Sequence, residues 1–313
     1  LGTNRYVYIN DNWYYLNGEG KILKGDQTID GVQVQVTPDD TILTAANLAG
    51  IEIPTLCYLK GLNPEGSCRM CLVEVEGNAK GLVTACTQPC TDGMVVHTKS
   101  EKVIEARRFV LDLLLSNHEG NCFSCAKNGG CRLQDYCFEY GVEKTSFESP
   151  VQPDRPEPDY SNKFLAYDPK KCILCRRCQR TCAKIQGKGI LSVSNRGFNA
   201  AITTSFEMPW KNTDCEHCGN CAAACPTGAL VTKDNLNNYR PYNIKKVRTT
   251  CPHCATGCQM DLIVRDNKIV GCEPADGESN HNTLCVKGRF GSFKFVHSGD
   301  RITDPLIKDK ATG

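Results

Sequence analysis

Large side chains are scarce in this sequence. Aromatics make up 7% of the 313 residues, and only two are Trp. One continuous core is poorly supplied at that length, so several small modules are expected. Long apolar runs are missing too: none approaches the roughly 18 residues of a membrane span. The start at Leu1 carries no basic stretch followed by an apolar one, so no secretory leader is visible. There is no glycine-rich dinucleotide fingerprint and no phosphate loop, so any flavin or nicotinamide is expected on a partner. No Ser-His-Asp or paired-carboxylate arrangement can be argued from spacing, which leaves no candidate for bond-making catalysis. A net charge of +2 gives no support to nucleic-acid binding.

Cysteine is what the sequence has in excess, with 22 residues. Such a chain is either a disulfide scaffold or a metal protein, and the compartment decides between them. Without a visible leader, the expectation is a cytoplasmic protein with reduced thiols.

The pattern along the chain predicts an α+β string of modules. Residues 1–26 contain Trp13-Tyr14-Tyr15-Leu16 before Asn17-Gly18, an aromatic strand with a turn signal, read as a hairpin extension. In 27–100, Val32, Val34 and Val36 alternate with Gln33 and Gln35 as a half-buried strand. A helix over 41–49 ends at Gly50, and a hairpin follows from 72–76 through Gly77-Asn78 to 82–85. In 101–149, Ser100 caps a helix with Val103, Ala106, Val110 and Leu113 on one face, which leads the chain to His118. Pro150, Pro153, Pro156 and Pro158 mark a stiff linker over 150–162. A module over 163–236 follows, and after a boundary near 237–246 a last module over 247–313 has a hairpin, 260–264 and 268–270, about Asp266-Asn267.

Four sets of donors sit on this frame. Cys57, Cys68, Cys71 and Cys86 place one tight pair inside a long loop, which suits a 2Fe-2S core; zinc would prefer two tight pairs, and Cys90 could replace Cys86 by spacing. His118, Cys122, Cys125 and Cys131 make a one-histidine, three-cysteine set for a 4Fe-4S cluster, with a zinc site as the alternative. Cys172, Cys175, Cys178 and Cys182 repeat as Cys215, Cys218, Cys221 and Cys225, the latter followed by Pro226. This is the bacterial two-cluster ferredoxin run, in which the fourth Cys of each block ligates the other cluster. Cys225 is therefore assigned with Cys172, Cys175 and Cys178, and Cys182 with Cys215, Cys218 and Cys221. Ala183, where the run has Pro, affects the turn more than the ligation. Cys251, Cys254, Cys258 and Cys285 form the last set, read as 4Fe-4S, with zinc left open by spacing. Cys90, Cys137 and Cys272 are expected to be buried structural thiols. With one 2Fe-2S and four 4Fe-4S clusters loaded, the charge falls to roughly −7.

In order, the first two sets resemble the N-terminal part of the large iron-sulfur subunit of respiratory complex I and of iron-only hydrogenases. The ferredoxin pair is expected to favour hydrogenases or formate dehydrogenases over complex I. The last set, ending in Cys285-Val286-Lys287-Gly288-Arg289, resembles the opening domain of molybdopterin oxidoreductases. Together they resemble, from about Gln27 to the end, the alpha subunit of cytoplasmic NAD(P)-linked formate dehydrogenases. The resemblance implies a plant-type ferredoxin-like β-grasp module, a one-histidine module, a bacterial two-cluster ferredoxin and a small β-rich 4Fe-4S domain. It implies a molybdenum or tungsten bis-pterin site beyond Gly313, with Lys287 between cluster and pterin. It also implies a hetero-oligomer with a flavin subunit carrying FMN and NAD(P) and a thioredoxin-like 2Fe-2S subunit. The second reading is a subunit of a hydrogenase or an electron-bifurcating complex.

Overall fold

The computed structural model describes the backbone of residues 5–9, 12–16 and 25–26, and residues 27–37, 39–79, 81–119, 121–147, 155–236, 238–305, 307–308 and 310. The aromatic strand Asn12–Leu16 pairs antiparallel with Arg5–Ile9, so its hairpin closes ahead of it. The expected turn at Asn17-Gly18 lies outside the described residues.

The next module is a five-stranded mixed sheet, with Gly25–Ile29 between Val32–Val36 and Val95–His97, then Leu72–Val75 and Leu82–Thr84. Gly25–Ile29 runs parallel to Val95–His97, a long-range pairing that no local pattern announces. Helix Ile42–Leu48 starts at a Thr41/Thr44 capping box and buries Ile42, Leu43, Ala45 and Ala46. Those side chains meet Ile29, Val34, Val36, Val73 and Val96 from the sheet in one core.

Ser100 caps Glu101–Leu115, its Oγ accepting from the Val103 amide. The buried stripe is Val103, Arg107 and Leu111, while Leu113 is exposed. Of the expected face, Val103 is buried and Val110 packs against the core, but Leu113 points to solvent. A buried arginine lies inside the apolar stripe: Arg107 donates to Tyr140 Oη at 2.9 Å and to the Leu72 carbonyl at 2.8 Å, joining this helix to Arg132–Tyr140 and to the sheet.

Residues 155–162 are not a spacer. Arg155 and Asn162 are buried, Asp159 bridges Tyr167, and the Asp159 carboxylate accepts from the Trp210 amide at 2.8 Å. This stretch is part of the module it precedes. Two antiparallel pairs, Leu165–Tyr167 with Leu230–Thr232 and Leu191–Ser194 with Ala201–Thr204, hold the short helices Arg177–Arg180 and Asn220–Ala224. Ala183 lies inside a wide turn over Thr181–Ile185 that continues the helix from Arg180, closed by the Gln186 amide on the Thr181 carbonyl. Cys225-Pro226 instead leaves its helix in extended backbone.

The last module is a meander of Lys245–Thr250, Gln259–Arg265 and Lys268–Pro274. Asp266 and Asn267 have φ of 49° and 58°, as a two-residue turn between twisted strands requires. Helix Val286–Phe290 follows, capped by Cys285. Among the described residues no helix is long and apolar enough to cross a membrane.

Candidate metal-cluster centres

The first set gathers on loops at one end of the five-stranded sheet. Cys57, Cys71 and Cys86 are each 1% exposed, and the Sγ atoms of Cys71 and Cys86 lie 3.4 Å apart. Arg69, with φ of 60°, turns the chain between Cys68 and Cys71. The Cys68 thiol hydrogen-bonds Cys57 and lowers it to about 5, while Cys71 does the same for Cys86 in direction. The charge of Cys57 reaches both Cys71 and Cys86. Cys90 faces elsewhere: burial raises it to about 11, and its neighbours are Gln27 and Asp40. The arrangement therefore groups Cys86, not Cys90, with the other three.

His118, Cys122, Cys125 and Cys131 line a common cavity together with Gly228 from the next module. Burial, with the charge of Arg155, lowers the imidazole to about 4, so the ring is neutral at physiological pH. Its Nδ1 is buried without a hydrogen-bond partner, a lone pair or N–H that a closed protein core does not leave idle without reason. Gly228 is the floor of the cavity: a Cβ there would lie 2.3 Å from Cys125 Sγ. Cys137 packs beside this set, raised to about 11 by burial and by Cys131 and Cys122.

The two repeated blocks share one backbone device. Leu174 and Arg176 have φ of 54° and 59°, and the equivalent His217 and Gly219 have 56° and 76°. These left-handed residues turn amides toward sulfur: Leu174 N donates to Cys172 Sγ and His217 N to Cys215 Sγ, both at 3.4 Å. Cys172 and Cys175 are raised by burial to about 11 and about 12, and Cys178 is raised as well. The charge of Cys225 reaches all three, whereas that of Cys182 reaches Cys218 and Cys221, as does that of Cys215. The fourth cysteine of each block thus stands beside the other block's three.

The last set straddles the surface. Cys251 is buried on the strand end, Cys258 is partly covered, and Cys254 and Cys285 are exposed. Their mutual charges raise Cys258 after burial does. Lys287 is exposed on the same side, and its ammonium charge reaches Cys254.

These donor sets fit iron-sulfur clusters: soft thiols and one neutral imidazole, mostly buried, with backbone amides on sulfur. Among the described residues no three His, Cys, Asp or Glu side chains converge tightly enough for a single ion. Sequence reasoning missed the arginines between the sets. Arg155 donates to the Cys172 carbonyl at 2.9 Å, Arg180 to the carbonyl of Cys57, and Arg289 to the Cys218 carbonyl at 2.9 Å. The apolar packing is continuous as well: Cys57, Cys68, Cys131 and Cys175 share one core, and Cys172, Cys178, Cys221 and Phe290 share the next.

Comparison with known proteins follows the same order of modules. Residues 26–101 match a 2Fe-2S iron-sulfur cluster binding domain, and 107–146 the NADH-ubiquinone oxidoreductase-G iron-sulfur binding region. Residues 163–231 match the ferredoxin-like domain of NADH-quinone oxidoreductase subunit 3, and 244–297 the molybdopterin oxidoreductase Fe4S4 domain. A solved NAD+-reducing [NiFe]-hydrogenase chain is 32% identical, with a TM-score of 0.61, over 67% of this chain and 87% of that one. The chain belongs to this family of iron-sulfur oxidoreductase subunits. NADPH-Fe(3+) oxidoreductase subunit alpha of Geobacter sulfurreducens is 39% identical over 90% of the chain, and an NADH-quinone oxidoreductase subunit of Rhizobium meliloti 39% over 91%. NADP-reducing hydrogenase subunit HndD of Solidesulfovibrio fructosivorans is 46% identical over 67%. The chain spans about a third of the length of these curated relatives. The NADH-quinone oxidoreductase matches run through the ferredoxin pair, so that pair does not set the chain apart from complex I as the sequence reading expected.

Proposed function

We propose that this chain is the iron-sulfur conduit of an NAD(P)-linked oxidoreductase, moving electrons between a flavin subunit and a molybdenum- or tungsten-pterin site carried outside these residues, with formate as the substrate. The observation that carries the reading is the unbroken order of donor sets, each joined to the next through a shared core or a buried arginine. Cys57, Cys68, Cys71 and Cys86 would hold a 2Fe-2S cluster, and His118 with Cys122, Cys125 and Cys131 a 4Fe-4S cluster. The cross-paired cysteines of the two blocks would hold two more, and Cys251, Cys254, Cys258 and Cys285 the last. Bound there, the clusters supply one-electron transfer without bond chemistry. Residues of this chain cover most of the sulfurs and aim amides at several of them.

Lys287 supports the pterin end of the reading. It stands exposed beside Cys254 and Cys285, the least covered sulfurs, where a cation can offset cluster charge and donate to an outside cofactor. The flavin subunit and a thioredoxin-like 2Fe-2S subunit complete the proposed hetero-oligomer. A hydrogenase or bifurcating complex is the second reading, favoured by the hydrogenase likeness. Lys287→Ala in the complete enzyme separates the two. The variant should keep its iron and its flavin-driven cluster reduction while formate turnover drops tenfold or more, since a charged hydrogen bond contributes about 1.5 to 3 kcal/mol. Undiminished formate turnover would remove the pterin contact, and electrons drawn from hydrogen but not formate would favour the second reading.

A further inference from the structure

The junction between the two-block module and the last module is built around one buried cation. Arg289 is 1% exposed, and among the described residues it makes no salt bridge. Its Nε donates to the Cys218 carbonyl at 2.9 Å and a terminal nitrogen to Asn220 Oδ1 at 3.1 Å, both neutral acceptors. Glu273, the carboxylate whose charge reaches it, is held by Lys246 at 2.6 Å. A guanidinium taken out of water with no counter-charge in contact, and with a nearby carboxylate that is itself paired with Lys246, is costly to hold in a core.

The surroundings are nevertheless shaped for it. Gly219 has φ of +76°, and a Cβ there would meet Arg289 Cδ at 2.5 Å and Nε at 2.7 Å, so the loop between Cys218 and Cys221 opens where the side chain passes. Asn220 grips the other module from both ends of its amide, donating to the Leu284 carbonyl and accepting from the Leu284 amide, each at 3.0 Å. Phe290 stacks on Phe164 at 4.4 Å, which fixes the helix carrying Arg289. The same short helix is capped by Cys285. The guanidinium is thereby held against one thiol set while its own helix begins in the next.

We infer that Arg289 is a positioning residue for electron passage between these two centres, and that the counter-charge it lacks in contact is the negative charge of the cluster held by Cys182, Cys215, Cys218 and Cys221. A 4Fe-4S core with four thiolates is anionic, and each electron it accepts adds a further negative charge. A fixed buried cation favours that reduced form, takes up no proton in doing so, and keeps the centre able to receive an electron from its neighbour. This rests on the reading that these thiols hold a cluster. Iron and sulfide content tests that reading apart from the role of Arg289.

The test is an anaerobic redox titration of the reconstituted chain followed by electron paramagnetic resonance, the relevant signal being the one that Cys215→Ser removes. Arg289→Met should keep its iron and lower the reduced-to-oxidised ratio of that signal at least tenfold at fixed potential, a downward shift of about 59 mV for a one-electron couple. Arg289→Lys should titrate close to the parent. Asn220→Asp, which sets a carboxylate beside the intact guanidinium, should shift the signal downward as Arg289→Met does, and it decides the matter if Arg289→Met fails to hold iron. A parental titration in Asn220→Asp, or in an iron-replete Arg289→Met, overturns the inference. So does an Arg289→Lys shift as large as that of Arg289→Met.

Discussion

Cross-ligation between the two repeated blocks can be tested by counting iron alone. Loaded with one 2Fe-2S and four 4Fe-4S clusters, the chain should hold about 18 iron atoms, and loss of one 4Fe-4S cluster removes about four. Cys182→Ser and Cys225→Ser should each leave about 14, which by itself does not say which cluster was lost. The doubles do. The charge of Cys182 is felt at Cys218 and Cys221, while that of Cys225 is felt at Cys172 and Cys175. Cys182→Ser combined with Cys215→Ser therefore removes two ligands of one cluster and should still leave about 14 irons. Cys182→Ser combined with Cys172→Ser strikes two clusters and should leave about 10. Iron and acid-labile sulfide per chain, measured after anaerobic reconstitution, give the answer. The reverse ranking, with the Cys182/Cys215 double at about 10 and the Cys182/Cys172 double at about 14, would mean that each block binds its own four cysteines and would refute the argument. Cys225→Ser carries a side effect that Cys182→Ser does not. Its charge also reaches Cys131, and the Pro226 carbonyl accepts from the Arg132 amide at 3.0 Å, so the signal of the His118 set should broaden in that variant.

Two further substitutions follow from the first two sets. Cys86→Ala should cost about two irons and the 2Fe-2S signal, whereas Cys90→Ala, in contact with Gln27 and Asp40, should keep both; loss of the signal from Cys90→Ala would exchange their roles. His118→Cys should keep an iron cluster but add one negative charge to its ligand set, so its reduction potential should fall in a redox titration. An unchanged spectrum and potential would leave the buried, unpartnered Nδ1 of His118 without a cluster to serve.

Features set by local chemistry were legible in the sequence. The Ser100 cap, the turn at Asp266-Asn267 and the hairpin of Leu72–Val75 with Leu82–Thr84 each follow from a few neighbouring residues, and each is present. Cysteine spacing also pointed to thiols that the fold brings together, such as Cys71 with Cys86 and Cys258 with Cys251, Cys254 and Cys285, the short intervals from Cys251 to Cys258 keeping side chains close. Features set by distant partners were not legible. The buried stripe of Glu101–Leu115 lacked one member in the sequence, because Arg107 reads as a surface residue until Tyr140 and Leu72 are seen to satisfy it. Residues 155–162 look like a proline spacer until Arg155 meets the carbonyls of Pro169 and Cys172. Arg289 reads as a helix-end cation, and only its place beneath Gly219 reveals a buried one.

The central claim is that nineteen cysteines and one histidine hold clusters rather than single ions. Metal and sulfide analysis of the anaerobically purified chain tests it most directly. The account predicts about 18 iron atoms with equal acid-labile sulfide in a brown protein; a colourless chain with stoichiometric zinc and no sulfide would contradict it.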